Sequence, residues 1–353
     1  MKSLPLYLYI AIILASCSHT EKRDSLKPES VGKLAEIVIL SVSYDEEYKN
    51  KIKEVFKRKL DGHPPPSEPT FNIHFADHSF FKGYFKKHHN IFVLLIKDQI
   101  KELSQVIDIS ILNSVQEIDK SKPELLGIKQ PNLFAKNQNI FFVIADDKND
   151  MIKKLSKNSD QFLQIALSQE SKSGKEKLLG SINSSNDPFT KRSLNNYNYG
   201  IRKPKTYRVA IENNDFVWLR KLSTVKEQQF GIMMFESPYR DSNDLSLDSI
   251  LKVRNFFTKK YVPGETPNSY MKYSSAIKPV MIKSYYSGNY SADIHGWWDV
   301  FGDFMGGPSH LKIVVDESRN RIIYVEGFLF YPNESKAEAM RELSILINTL
   351  KIQ

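Results

Sequence analysis

Apolar and polar positions follow two different periods along this chain, and the switches between them mark its elements. The run from Ala35 to Val42 is apolar and β-branched, which predicts a buried strand. Ser43 and Glu46 have capping-box spacing, and residues 45–60 then place Tyr48, Ile52, Val55, Phe56 and Leu60 on one helical face. The opposite face is rich in lysine, and the prolines at 64–66 stop the helix. Phe71, Ile73 and Phe75 alternate as a half-buried strand. The runs at 91–96 and 140–145 read as fully buried strands. Residues 147–169 read as a helix with Met151, Leu155, Phe162 and Ala166 inward.

Periodicity is lost over 170–203, where Ser, Asn, Lys and Gly dominate, and this marks a boundary or long loop. Beyond it, strands are expected at 205–211, 216–221, 230–236, 278–286, 311–316 and 321–330. Helices are expected at 245–261, stopped by Pro263-Gly264, and at 334–350. The fold class is therefore α+β, divided into residues 31–170, a polar linker or long loop at 171–203, and residues 204–353. Both halves contain a strand, a turn with tyrosine and a helix (ILSVSYDEEY and MMFESPYRDSND). Duplication into two similar halves with antiparallel sheet and coincidence both account for this.

The first 17 residues change the picture. Lys2, an apolar run from Leu4 to Ala15, and Leu14-Ala15-Ser16-Cys17 match a bacterial lipoprotein signal, with Cys17 as the acylated first residue after cleavage. The run is short of the roughly 20 residues that a membrane span needs. Residues 1–16 are the expected signal peptide and 17–30 a flexible tether. Cleavage leaves 49 Lys and Arg against 41 Asp and Glu, a net charge of +8. With 41% hydrophobic and 26% charged residues, wholesale disorder is excluded. Cys17 is the single cysteine, so an internal disulfide and a Cys-rich zinc module are excluded too.

The most unusual local sequence is GWWDVFGDFMGGP at 296–308. Trp297, Trp298 and Phe304 suit a stacking wall, Asp299 and Asp303 suit polar recognition, and Gly306 and Gly307 suit positive φ and an anion-binding nest of N–H groups. The competing reading is a tight turn between strands capped by packed aromatics. Asp299, Asp303 and Glu326 are the carboxylates open to an acid–base pair for glycan hydrolysis. Five histidines cluster between His63 and His89, and His74-x-x-Asp77-His78 has chelating residue types, but the surrounding alternation predicts a strand and turn, and no metal site is assigned. No nucleophile elbow is present. The basic residues 49–59 and 82–89 read as a solvated face or a match for anionic headgroups rather than for nucleic acid.

An ordered set of stretches carries a family resemblance. PESVGKLAEIVIL and Glu68-Pro69-x-Phe71 come first, then Trp218-Leu219-Arg220, Ser237-Pro238-Tyr239, SILKVRNFFTKKYVPG, Asn268-Ser269-Tyr270-Met271, the 296–308 stretch, and GFLFYP at 327–332. Together they resemble a family of uncharacterised Bacteroidota lipoproteins, domain of unknown function 4837, over nearly all of the mature chain. The chain departs from that pattern at His295 and Ser309, where arginine and phenylalanine are usual. The resemblance implies lipidation and an envelope location, and no reaction. The expectation is a lipid-anchored envelope protein, at the outer membrane facing the periplasm. Its expected role is non-catalytic binding or scaffolding without a cofactor, with an envelope protein, glycan or glycolipid as partner. The alternative is a lipid-tethered hydrolase of envelope glycan.

Overall fold

The computed structural model describes residues 11–12, 26–59, 68–180, 187–223 and 227–353. Cys17 and most of the expected leader and tether lie outside the described residues. The chain divides into two compact units, one holding residues 1–58 and 69–176, the other 59–68 and 177–353.

The first unit is built on a six-stranded sheet. Its strands are β1 (Ala11–Ile12), β2 (Glu36–Leu40), β3 (Asn72–Ala76), β4 (Asn90–Ile96), β5 (Ile128–Pro131) and β6 (Asn139–Ala145), in the order β1-β5-β6-β4-β2-β3. The pairs β2–β3, β2–β4 and β4–β6 are parallel, and β5–β6 is antiparallel. Every residue of β4 and β6 is buried, as strands covered on both faces must be, and this is why both are continuously apolar after their first residues, Asn90 and Asn139. Helix α1 (Glu46–Phe56) buries Tyr48, Ile52, Val55 and Phe56. Its N-cap is Asp45, whose carboxylate accepts from Tyr48 N at 2.9 Å, in place of the expected Ser43 box. Short helices α2 (Tyr84–Lys87) and α3 (Ile100–Leu103) precede α4 (Ile109–Ser121), which the apolar pattern did not reveal.

The expected 147–169 helix is two helices, α5 (Lys148–Lys157) and α6 (Ser159–Leu179). The 171–203 stretch is not a long loop. It carries the end of α6, all of α7 (Pro188–Tyr197) and β7 (Tyr199–Gly200). Two physical causes hid this. Helix α6 buries polar side chains, Gln169, Glu170 and Ser173, so apolar periodicity fades after Ala166. Helix α7 is set by its cap rather than its face: Asp187 accepts from Thr190 N, and Pro188 occupies the first turn.

The second unit is a curled antiparallel sheet of eight strands. They are β8 (Arg208–Glu212), β9 (Phe216–Leu222), β10 (Gln229–Pro238), β11 (Tyr270–Tyr273), β12 (Val280–Tyr286), β13 (Asn289–Phe301), β14 (Gly306–Asp316) and β15 (Arg321–Phe330), in the order β11-β13-β14-β15-β10-β9-β8 with β12 also on β13. Helix α8 (Leu247–Tyr261) packs Ile250 and Phe257 onto one face, beside Phe235, Ile313 and Tyr324. Helix α9 (Ala337–Ile347) packs Leu343, Leu346 and Ile347 onto the other, beside Met234, Val325 and Leu329, with Phe189 of α7. A last short strand, β16 (Lys351–Ile352), pairs with β7.

The chain is thus α+β, but its units are not two similar halves. One sheet is mostly parallel and interleaved with helices, whereas the other is antiparallel and sandwiched between helices. The shared strand–turn–helix pattern is a local coincidence of common units.

Candidate functional site

The 296–308 stretch is the end of a hairpin. Trp297, Trp298 and Asp299 lie on β13, residues 302–305 form the turn, and Gly306 and Gly307 open β14 opposite Asp299 and Trp298. The two glycines are ladder residues without positive φ, so the expected nest of N–H groups is not formed; Gly302, at φ +82°, makes the turn. Gly307 is there for close approach, because a Cβ would lie 2.0 Å from Leu329 O on β15. Trp298 is core: its ring meets Phe328 edge-on at 5.5 Å and its Nε1 donates to Leu329 O at 3.2 Å. Trp297 is half-buried on the opposite side of the strand. Phe304, at the tip, is fully exposed rather than packed.

Each carboxylate of interest is engaged. Asp299 lies 3.1 Å from Lys272 Nζ. Asp303 accepts from Phe304 N and Glu265 N, which shapes the turn. Glu326 on β15 is completely buried and accepts two bonds from Arg254 of α8, from Nε at 2.8 Å and Nη2 at 2.9 Å. The same guanidinium lies 4.7 Å from the ring centre of Tyr273, and Nη1 donates to Asn255 Oδ1. Ser309 Oγ in turn donates to Tyr273 Oη at 3.1 Å. Burial pushes the Tyr273 phenol well above its ordinary value. This network ties α8 to the sheet and removes Glu326 from any acid–base pair.

On the other face of the sheet the structure assembles residues that sequence reading missed. His310 of β14 has Nδ1 2.9 Å from Ser344 Oγ on α9 and Nε2 2.7 Å from Asp293 Oδ1 on β13. Lys312 Nζ also reaches Asp293, at 2.8 Å, and His295 stacks on His310 with ring centres 4.3 Å apart. Burial alone would raise the Asp293 carboxyl, but the hydrogen bond and charge of His310 and the charge of Lys312 hold it far below the usual range. The order serine–histidine–aspartate is that of a nucleophile, a base and its orienter, with the two ring nitrogens exchanged relative to the common arrangement. Ser344 sits inside α9, where backbone N–H groups serve the helix and cannot form an oxyanion hole. These three residues come from separate strands and a helix, so no spacing in sequence announces them.

The first unit gathers part of the histidine cluster. Glu36 accepts from Tyr84 Oη at 2.7 Å and lies 3.5 Å from His88 Nε2 and 3.6 Å from His74 Nε2. Burial opposes this carboxylate's charge, but its bonds to His88, Tyr84 and Lys33 N, with the His74 charge, hold it well below its ordinary range. Gly32, at φ +101°, leaves room for His88, since a Cβ would lie 2.3 Å from His88 Nε2. Asp77 instead shapes a turn by accepting from Ser79 N and Phe80 N. Among the described residues no group of three or more His, Cys, Asp or Glu is placed to hold a metal ion.

Three of the distinctive stretches converge on β9, β10, β13 and β15. Trp218 of β9 lies 6.3 Å from Phe328, which also touches Trp298. Gly231 admits the Phe328 ring, 2.1 Å from where its Cβ would stand. Arg220 stacks over Trp218 with its guanidinium carbon 4.8 Å from the ring centre. Elsewhere in this unit an open cavity of about 600 Å³ is lined by Tyr286, Asn289, Asp316 and the C-terminal residues from Leu350.

Residues 187–349 match the model of a domain of unknown function (DUF4837), and residues 30–178 match that of a second domain of unknown function (DUF8532). The first match covers residues 187–349 of the second unit alone, whereas the resemblance read from the sequence extends over nearly all of the mature chain. No curated protein matches the chain. Among solved structures, LpqN of Mycobacterium tuberculosis, described as involved in cell envelope biogenesis, is 10% identical, with 44% of this chain and 83% of that one covered and a TM-score of 0.27. Human StAR-related lipid transfer protein 5 is 12% identical, with 53% and 95% covered and a TM-score of 0.23. Likenesses this distant bear neither on fold nor on activity. Among the described residues no helix is long and apolar enough to cross a membrane.

Proposed function

We propose that this chain is a Bacteroidota envelope lipoprotein, acylated at Cys17, whose folded part is a binding or scaffolding module at the periplasmic face of the outer membrane. Acyl chains at Cys17 would supply about 0.8 kcal/mol per buried methylene, and two or more chains give stable anchoring. Cleavage before Cys17 would remove β1 and leave β5 as a sheet edge, where Lys129 and Pro131 discourage pairing with other chains. The observation that carries the non-catalytic reading is the fate of the carboxylates. Glu326 is locked by Arg254, Asp299 is paired with Lys272, and Asp303 serves its own turn. None is left as a convergent acid and base.

Three measurements test this. Metabolic labelling with an alkyne fatty acid should mark the wild type and not Cys17→Ala; equal labelling of both removes the anchor. Crosslinking in living cells, read by mass spectrometry, should recover an envelope protein, glycan or glycolipid, and a complementation phenotype should survive the joint change Asp299→Asn and Asp303→Asn at normal protein levels. One observation favours a hydrolase reading instead: Ser344 Oγ and Asp293 Oδ1 lie within hydrogen-bond distance of the two ring nitrogens of His310, even without an oxyanion hole from α9. A fluorophosphonate probe labelling the wild type and not Ser344→Ala would decide for that reading.

A further inference from the structure

The second unit places two arginines directly opposite one another on neighbouring strands. Arg208 of β8 and Arg220 of β9 are direct cross-strand partners. Like charges so placed repel, and sheets ordinarily avoid them. Neither has a carboxylate partner among the described residues, and the charge of Arg208 acts on Arg220 as a neighbouring cation. Burial, and then that neighbouring charge, push the Arg220 guanidinium below its usual value.

Arg220 is nonetheless held in place. It stacks on Trp218, and its Nη2 donates to Gln229 Oε1 at 3.0 Å, which leaves further N–H groups of the fork unused. Side chains two apart on a strand share a face, so Trp218, Arg220 and Leu222 form one row. Leu222 is 45% exposed, and its cross-strand neighbour Gln229 is opposite half-buried Phe330. Basic and apolar groups therefore alternate along this row. The indole Nε1 of Trp218 is buried without an acceptor among the described residues.

We infer that Arg208 and Arg220 bind the phosphate of an anionic amphiphile whose apolar body lies along Trp218, Leu222 and Phe330. Phosphate suits paired guanidinium forks, which offer parallel N–H donors to its oxygens and lose their mutual repulsion when it binds. The exposed leucine and half-buried rings distinguish a ligand with hydrocarbon from a bare anion. This deepens the binding reading above and rests on it, but it does not depend on Cys17. A failed fatty-acid label and a failed ligand titration are therefore separate results.

The test titrates the full chain with dihexanoyl-phosphatidic acid, followed by tryptophan fluorescence and calorimetry. The expected result is saturable binding, weakened about tenfold or more by Arg208→Gln and by Arg220→Gln, with Arg220→Lys intermediate because it keeps charge without the fork. Arg208 is exposed, so its replacement leaves the fold intact and separates a binding loss from unfolding. Dihexanoyl-phosphatidylcholine, whose charge is balanced, should bind at least about tenfold more weakly. Inorganic phosphate bound as tightly as the lipid overturns the amphiphile. Absence of saturable binding, or binding unchanged in both glutamine variants, overturns the site.

Discussion

Replacing Glu326 by Gln removes one negative charge and almost no volume, which isolates the electrostatic part of the buried Arg254 network. Both side chains are completely buried and joined by two bonds of 2.8 and 2.9 Å. The variant leaves a guanidinium in the interior without a counter-charge among its described partners, which are Asn255, Thr258 and the Tyr273 ring. Breaking a pair of this kind costs about 3–5 kcal/mol. For a unit of this size that corresponds to a fall in Tm of roughly 6–20 °C. All three tryptophans, Trp218, Trp297 and Trp298, lie in the second unit, so tryptophan fluorescence during heating or urea titration follows that unit alone. The joint change Arg254→Met and Glu326→Leu should recover most of the loss, because a buried ion pair adds little over well-packed apolar groups of similar volume. A single-variant cost below about 1 kcal/mol, or a double variant no better than either single one, would show that the pair is solvated and the reasoning wrong.

Three other outcomes are expected. Gly307→Ala should cost about 3 kcal/mol or more in the same fluorescence assay, since its methyl would drive β14 away from the Leu329 carbonyl. Glu68→Ala should cost about 1–2 kcal/mol, measured by urea unfolding, because the Glu68 carboxylate accepts from Lys336 N at 2.7 Å, Ala337 N at 2.9 Å and Ser335 Oγ at 2.6 Å and so caps α9. Asp293→Asn should lower stability at neutral pH and flatten its dependence on acid. The folded-state pKa of Asp293 lies below the unfolded value of about 3.9, so its stabilisation is complete well above that value and is lost as pH falls through and below it. Parallel acid titrations of wild type and variant by circular dichroism, if superimposable, would exclude that contribution.

What the sequence disclosed follows from burial. The strands β4 and β6 were legible because both faces of each are covered, so that after Asn90 and Asn139 every position is apolar. Helix α8 was legible to within two residues through its apolar face and the Pro263-Gly264 stop. Legibility failed where polar groups do structural work inside. The buried Gln169, Glu170 and Ser173 made the second half of α6 look like a loop. Gly306 and Gly307 suggested unusual dihedrals, whereas they are extended residues whose missing side chains admit a neighbouring carbonyl. Of the aromatic residues of 296–308, Trp298 is core, and it meets Trp218 through Phe328, on a strand about 30 residues away from one and over 100 from the other. Ser344, His310 and Asp293 carry no local signature at all, because their relation exists only after α9 has docked.

Glu68 ends a short excursion of the polypeptide: Arg58 before it and Pro69 after it belong to the first unit, while Glu68 itself caps a helix of the second. The second unit is consequently drawn from two separate stretches of the chain. No single cut releases it with its full complement of partners, and a fragment beginning at Asp187 would carry a frayed α9.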